Sequence, residues 1–158
     1  MVLAATLGLF GALWPFADEI EEVRYRTAPG WLLVVEKDNF SGEMACAAQS
    51  RRVLVRRNVA TFSLGSRVNT AQAEFRLDGG PAVWAREVGL EVAGQGVRLL
   101  DGSVKNPTGG HVHVPLATLA SATQISIRPD RDRRAVTFPL AGLHQTLAAG
   151  KAHGCRGL

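Results

Sequence analysis

His111 and His113 are the residues of this chain best suited to metal chemistry. At i and i+2 on an extended strand, both imidazoles point to the same face. That spacing can supply two ligands to Zn²⁺ or Cu²⁺, in a metal-binding protein or a hydrolase. His144 and His153 are the remaining histidines, and two ligands from one strand need further donors to complete a site. The competing expectation is a polar outward face opposite buried Val112 and Val114.

Arg51, Arg52, Arg56 and Arg57 flank Val53-Leu54-Val55. On one continuous strand Arg52 and Arg56 share a face, while Arg51 and Arg57 share the other. The cluster is a candidate patch for an anionic partner such as phosphate-bearing lipid headgroups. A solvated strand edge that discourages strand-to-strand aggregation would carry the same residues. The basic residues are not interleaved with aromatics as in single-strand binders, and the net charge of +4 is small for 158 residues. Nucleic acid is therefore not an expected partner.

Cys46 and Cys155 are the two cysteines, too few for a disulfide scaffold or a cysteine-rich zinc site. In an oxidising compartment an even pair is expected to bond; two independent buried thiols are the alternative. Neither lies in a CxxC motif, and no neighbouring base marks a catalytic thiol. The serines lack the setting of a nucleophile elbow, the glycine pairs lack a phosphate-loop fingerprint, and there is no HExxH. No catalysis and no cofactor are expected. The run Asp130-Arg131-Asp132-Arg133-Arg134 alternates in sign like a solvated hairpin tip.

Residues 1–17 carry no charged side chain, and the first charges are Asp18, Glu19, Glu21 and Glu22. The run is short for a membrane span and suits the apolar core of an export signal, with Ala17-Asp18 as a junction. It lacks the opening Lys or Arg of such signals; a retained membrane anchor and an internal core helix are the alternatives.

Beyond residue 22 the sequence breaks into short apolar runs separated by Gly, Pro, Asn and Asp. Strands are expected near 31–35, 52–56 (which 44–49 lead into), 60–64, 73–77, 83–86, 88–92, 97–100, 111–114, 124–128 and 135–138. Residues 115–120 begin with proline and read as a short helix. Leu140, Leu143 and Leu147 give 139–151 one apolar helical face. Apolar residues make up 46% of the chain, enough for a core at this length. The expectation is an all-β fold: an antiparallel, jelly-roll-like β-sandwich over 18–158 with one or two short helices, one near the C-terminus.

A set of these features resembles a known family. Trp31 opens an apolar strand that is followed by Cys46-Ala47-Ala48. A strand then ends in Leu77-Asp78-Gly79-Gly80-Pro81, and Leu116 to Leu119 form a helical turn. The strand at 125–127 leads to Phe138-Pro139-Leu140-Ala141-Gly142-Leu143 and a closing Cys155. The pattern is similar to the invasion-associated locus B family of small exported α-proteobacterial proteins, over residues 31–155. Pro139 stands where that pattern has a small residue, and 150–154 lengthen the approach to Cys155. The resemblance implies a periplasmic or surface-associated protein and includes the cysteine pair. Together these readings give a non-catalytic binding protein of the envelope, with an envelope protein or anionic surface as partner. An anchored subunit of an envelope complex is the alternative.

Overall fold

Pro29-Gly30 reverses the chain between the first two strands, and Gly30 takes a φ of 73° that suits glycine. In the computed structural model, which describes residues 20–88 and 109–158, this turn joins β1 (Ile20–Ala28) to β2 (Trp31–Asp38). The chain continues as a meander through β3 (Met44–Ser50), β4 (Val53–Arg56) and β5 (Val59–Ser63). β8 (His111–Pro115) adds to β5 and completes a six-stranded sheet in the order β1-β2-β3-β4-β5-β8. The second sheet has the order β10-β9-β6-β7, from β6 (Glu74–Leu77), β7 (Val83–Trp84), β9 (Gln124–Arg128) and β10 (Val136–Pro139). Every ladder among the described residues is antiparallel.

The core follows from period-two alternation. Val53 pairs with Phe62 and Phe62 with Val112; Val55 pairs with Ala60 and Ala60 with Val114. All six are buried on one face. Phe75, Ile125 and Ile127 answer from the second sheet, and the Phe62 and Phe138 rings meet with centroids 5.2 Å apart. Burying each large side chain fully contributes about 1.5–3 kcal/mol.

The C-terminal helix (Ala141–Ala152) packs on β1, β2 and β3, covering the half of the large sheet next to the sandwich. Leu140 and Leu143 are fully buried beneath it. Thr146 donates to the Gly142 carbonyl at 2.8 Å, so its hydroxyl accepts from Thr27 of β1 at 2.6 Å. Residues 116–119 form a 3-10 turn. Among the described residues no helix is long and apolar enough to cross a membrane.

Two differences from the sequence-based expectation have physical causes. β1 was not expected, because Glu21, Glu22, Arg24 and Arg26 interrupt its apolar pattern; it is an edge strand and mostly exposed. Such charges keep an edge from pairing with other chains. The strand expected at 83–86 stops at Trp84, and residues 85–88 turn helical. Ala85, Arg86 and Glu87 are good helix formers. Val88 lies in that helical turn. The rest of the expected 88–92 strand, the 97–100 strand and the leader at 1–17 lie outside the described residues.

Candidate functional site

β4 and β5 are joined by a two-residue turn in which Arg57 has φ 52° and Asn58 φ 61°. This is the type I′ geometry, which takes positive φ at both central residues. Asparagine tolerates it, whereas arginine adopts it at a cost of about 1–3 kcal/mol. The turn is held from two sides. The Asn58 amide donates to the Gly157 carbonyl at 2.8 Å, and the Leu116 amide donates to the Asn58 carbonyl at 2.7 Å.

The Cys46–Cys155 disulfide brings the C-terminal tail to this turn. It joins β3 to the tail across 109 residues, with Cα atoms 5.8 Å apart. Arg156 and Gly157 follow directly, beside Arg57 and Asn58. Between them lies a broad cleft of about 1060 Å³. Its basic wall is Arg56, Arg57 and Arg156; its apolar wall includes Met44, Leu116 and Leu147; among the described residues no carboxylate lines it. Arg56 pairs with Glu36 at 2.9 Å. Arg57 and Arg156 are exposed, and among the described residues neither has an ion-pair partner.

The four arginines expected to form one patch are thus divided. Arg56 and Arg57 belong to the cleft, whereas Arg51 and Arg52 precede the other end of β4. Four residues of strand separate the pairs by about 13 Å. Arg52 is engaged there: its Nε donates to the Ser63 carbonyl at 3.0 Å, and its guanidinium lies 5.3 Å from the centre of the Phe138 ring. It caps one end of the sandwich. Arg156 was missed by sequence reasoning, although its place next to Cys155 was the signal that could have found it.

His111 and His113 share a face of β8, opposite Val112 and Val114 as expected. That face is not an open polar surface, however. His113 is only 9% exposed, and β8 is buried on both faces from Val112 to Pro115. The two ring centroids lie 6.4 Å apart. Thr61 Oγ1 sits 3.0 Å from His113 Nδ1. Among the described residues, His111 Nδ1 and His113 Nε2 are buried without a hydrogen-bond partner. Burial, helped by the neighbouring His111, pushes the His113 pKa down to about 4. Among the described residues no group of three His, Cys, Asp or Glu side chains could hold a metal ion. The other histidines are occupied: His144 Nε2 donates to the Ala122 carbonyl at 2.8 Å, and His153 stacks on Tyr25 with centroids 4.2 Å apart.

The Asp78-Gly79-Gly80 motif is a structural turn. Asp78 has φ 49°, and its carboxylate accepts from the Thr123 hydroxyl at 2.5 Å, the Thr123 amide at 3.0 Å and the Gln124 amide at 3.0 Å. The Thr123 hydroxyl and amide hold the carboxyl below its usual pKa. These bonds tie the β6 turn to the start of β9 in the same sheet.

The chain matches no family model, no curated protein and no solved structure.

Proposed function

We propose that this chain is an exported, disulfide-closed binding protein of the cell envelope that acts without catalysis. The observation that carries the proposal is the Cys46–Cys155 disulfide, which fits an oxidising compartment. The resemblance over residues 31–155 to the invasion-associated locus B family supports the same placement. The uncharged run 1–17 supports export. The cleft beside the disulfide offers a concave, mixed basic and apolar surface suited to binding.

Cell fractionation followed by thiol counting tests the compartment. The protein is expected in the envelope or periplasmic fraction, with no free thiol after denaturation without reductant. Recovery in the cytosol with two free thiols would contradict it. Intact mass separates the soluble from the anchored form: a chain beginning near Asp18 is the soluble binding protein, and one retaining Met1 is an anchored subunit.

A second reading, metal binding by His111 and His113, draws support from their two unpartnered buried nitrogens. Buried polar atoms normally find partners, and two imidazoles are good Zn²⁺ donors. Calorimetric Zn²⁺ titration of the wild type and His111→Ala tests it. Heat present in the first and lost in the second supports a site; no heat above buffer in either removes the reading.

A further inference from the structure

We infer that the cleft beside the disulfide seats a phosphate-bearing lipid headgroup, with the tip of the β2–β3 hairpin entering the apolar layer next to it. This deepens the binding role proposed above and rests on it.

Two separate observations meet at one end of the six-stranded sheet. The first is charge. Arg57 and Arg156 face the cleft, and among the described residues no carboxylate lines it. A guanidinium presents paired donors that match phosphate oxygens. The disulfide and the Asn58–Gly157 hydrogen bond hold the tail bearing Arg156 against the turn bearing Arg57 before any ligand arrives.

The second is exposed apolar surface. Phe40 is 90% exposed at the hairpin tip, and Met44, which also lines the cleft, is 46% exposed. Ile20, 60% exposed, pairs with Asp38 at the same end. The register places Met44 at the cleft and carries the hairpin tip beyond it. Ala48 pairs with Val55, while Met44 pairs with Lys37, so β2 and β3 run on past the end of β4. The tip is also ordered. Asp38 Oδ1 accepts from the Phe40 and Ser41 amides at 2.8 and 3.0 Å, and the Gly42 amide donates to the Asp38 carbonyl at 2.8 Å. The Asp38 carboxylate is thereby turned onto its own backbone; Glu36, which pairs with Arg56, Lys37 and Glu43 are the other charges on the hairpin. A fixed aromatic tip projecting past a cleft lined by two guanidiniums suits an interface where phosphates lie directly above acyl chains.

Co-sedimentation of the oxidised chain with vesicles tests this. One set is phosphatidylcholine alone and the other contains phosphatidylglycerol. Binding is expected to the second set in clear excess over the first. Arg57→Gln with Arg156→Gln should lower it about tenfold or more, and Phe40→Ser should lower it severalfold. Arg131→Gln with Arg134→Gln removes the same charge from the 130–134 turn and should leave binding unchanged. Near-ultraviolet circular dichroism and a zero thiol count establish that each variant is folded and oxidised.

Equal binding to both vesicle sets would overturn the inference. So would an equal loss with the Arg131/Arg134 pair, or calorimetric binding of inorganic phosphate without vesicle binding. If no vesicle is bound yet the oxidised chain captures an envelope protein, the lipid assignment fails and the binding role stands.

Discussion

Gly142 of the C-terminal helix lies directly against the indole of Trp31 in β2: a β-carbon at position 142 would overlap Cδ1 and Nε1 of the ring. This contact sets how closely the helix approaches the sheet. Trp31 is 8% exposed, and the buried Leu143 follows Gly142 by one residue. Gly142→Val should therefore lift the helix from β2 and destabilise the fold by about 1–3 kcal/mol. Urea denaturation measures this as a lowered midpoint at an unchanged slope. A midpoint equal to the wild type's would mean that the helix is not seated by this contact.

The disulfide should contribute more. Closing a 109-residue separation stabilises by about 4–5 kcal/mol in the chain-entropy description. Cys46→Ser with Cys155→Ser should lower the urea midpoint accordingly. It should also free the tail that carries Arg156 and Gly157. Hydrogen exchange at the Asn58 amide, whose partner is the Gly157 carbonyl, should then accelerate more than exchange in β9.

His113 makes the fold acid-sensitive in a defined window. Its folded pKa lies at about 4, below the ordinary 6.5, because burial and the neighbouring His111 disfavour the imidazolium. The unfolded chain binds the proton first as pH falls, so stability is complete above pH 6.5 and is lost progressively down to about pH 4. The span of that shift limits the loss to about 3 kcal/mol. His113→Gln should flatten the stability profile between those two pH values. Thermal unfolding at stepped pH provides the measurement, and a variant profile parallel to the wild type's would refute the assignment.

Asp78 acts lower on the scale. Its folded pKa is held below 3.8 by the hydroxyl and amide of Thr123. The stability it supplies is present above the unfolded pKa and falls away as pH drops through the folded one. Asp78→Ala should destabilise the protein at neutral pH, where the carboxylate accepts these bonds. It should converge with the wild type in strong acid. A difference that stays constant with pH would point to the turn geometry instead.

The strands easiest to read in the sequence were those with one buried face and a regular alternation, such as Glu74–Leu77 and Gln124–Arg128. The C-terminal helix was legible because Leu140 and Leu143 mark the face that became fully buried. β1 was not, since an exposed edge strand selects charge rather than alternation. Alternation also misled at β8, where a face that reads as outward holds the buried His113. The cleft was half legible. Arg56 and Arg57 were singled out with Arg51 and Arg52, but Arg156 reaches the cleft only through the disulfide, and the expected cysteine pairing was not followed to its neighbour. Arg51 and Arg52 looked equivalent to Arg56 and Arg57 in sequence, but a strand's length and the core edge at Phe138 separate them.

The binding role is tested most directly by affinity capture from envelope extract on the immobilised oxidised chain, with the Cys46→Ser/Cys155→Ser variant as the parallel surface. A defined component, protein or lipid, should be retained by the oxidised chain and released from the variant, in which the cleft is no longer clamped. Identical retention on both surfaces, or none above the blank resin, would contradict a disulfide-held binding site.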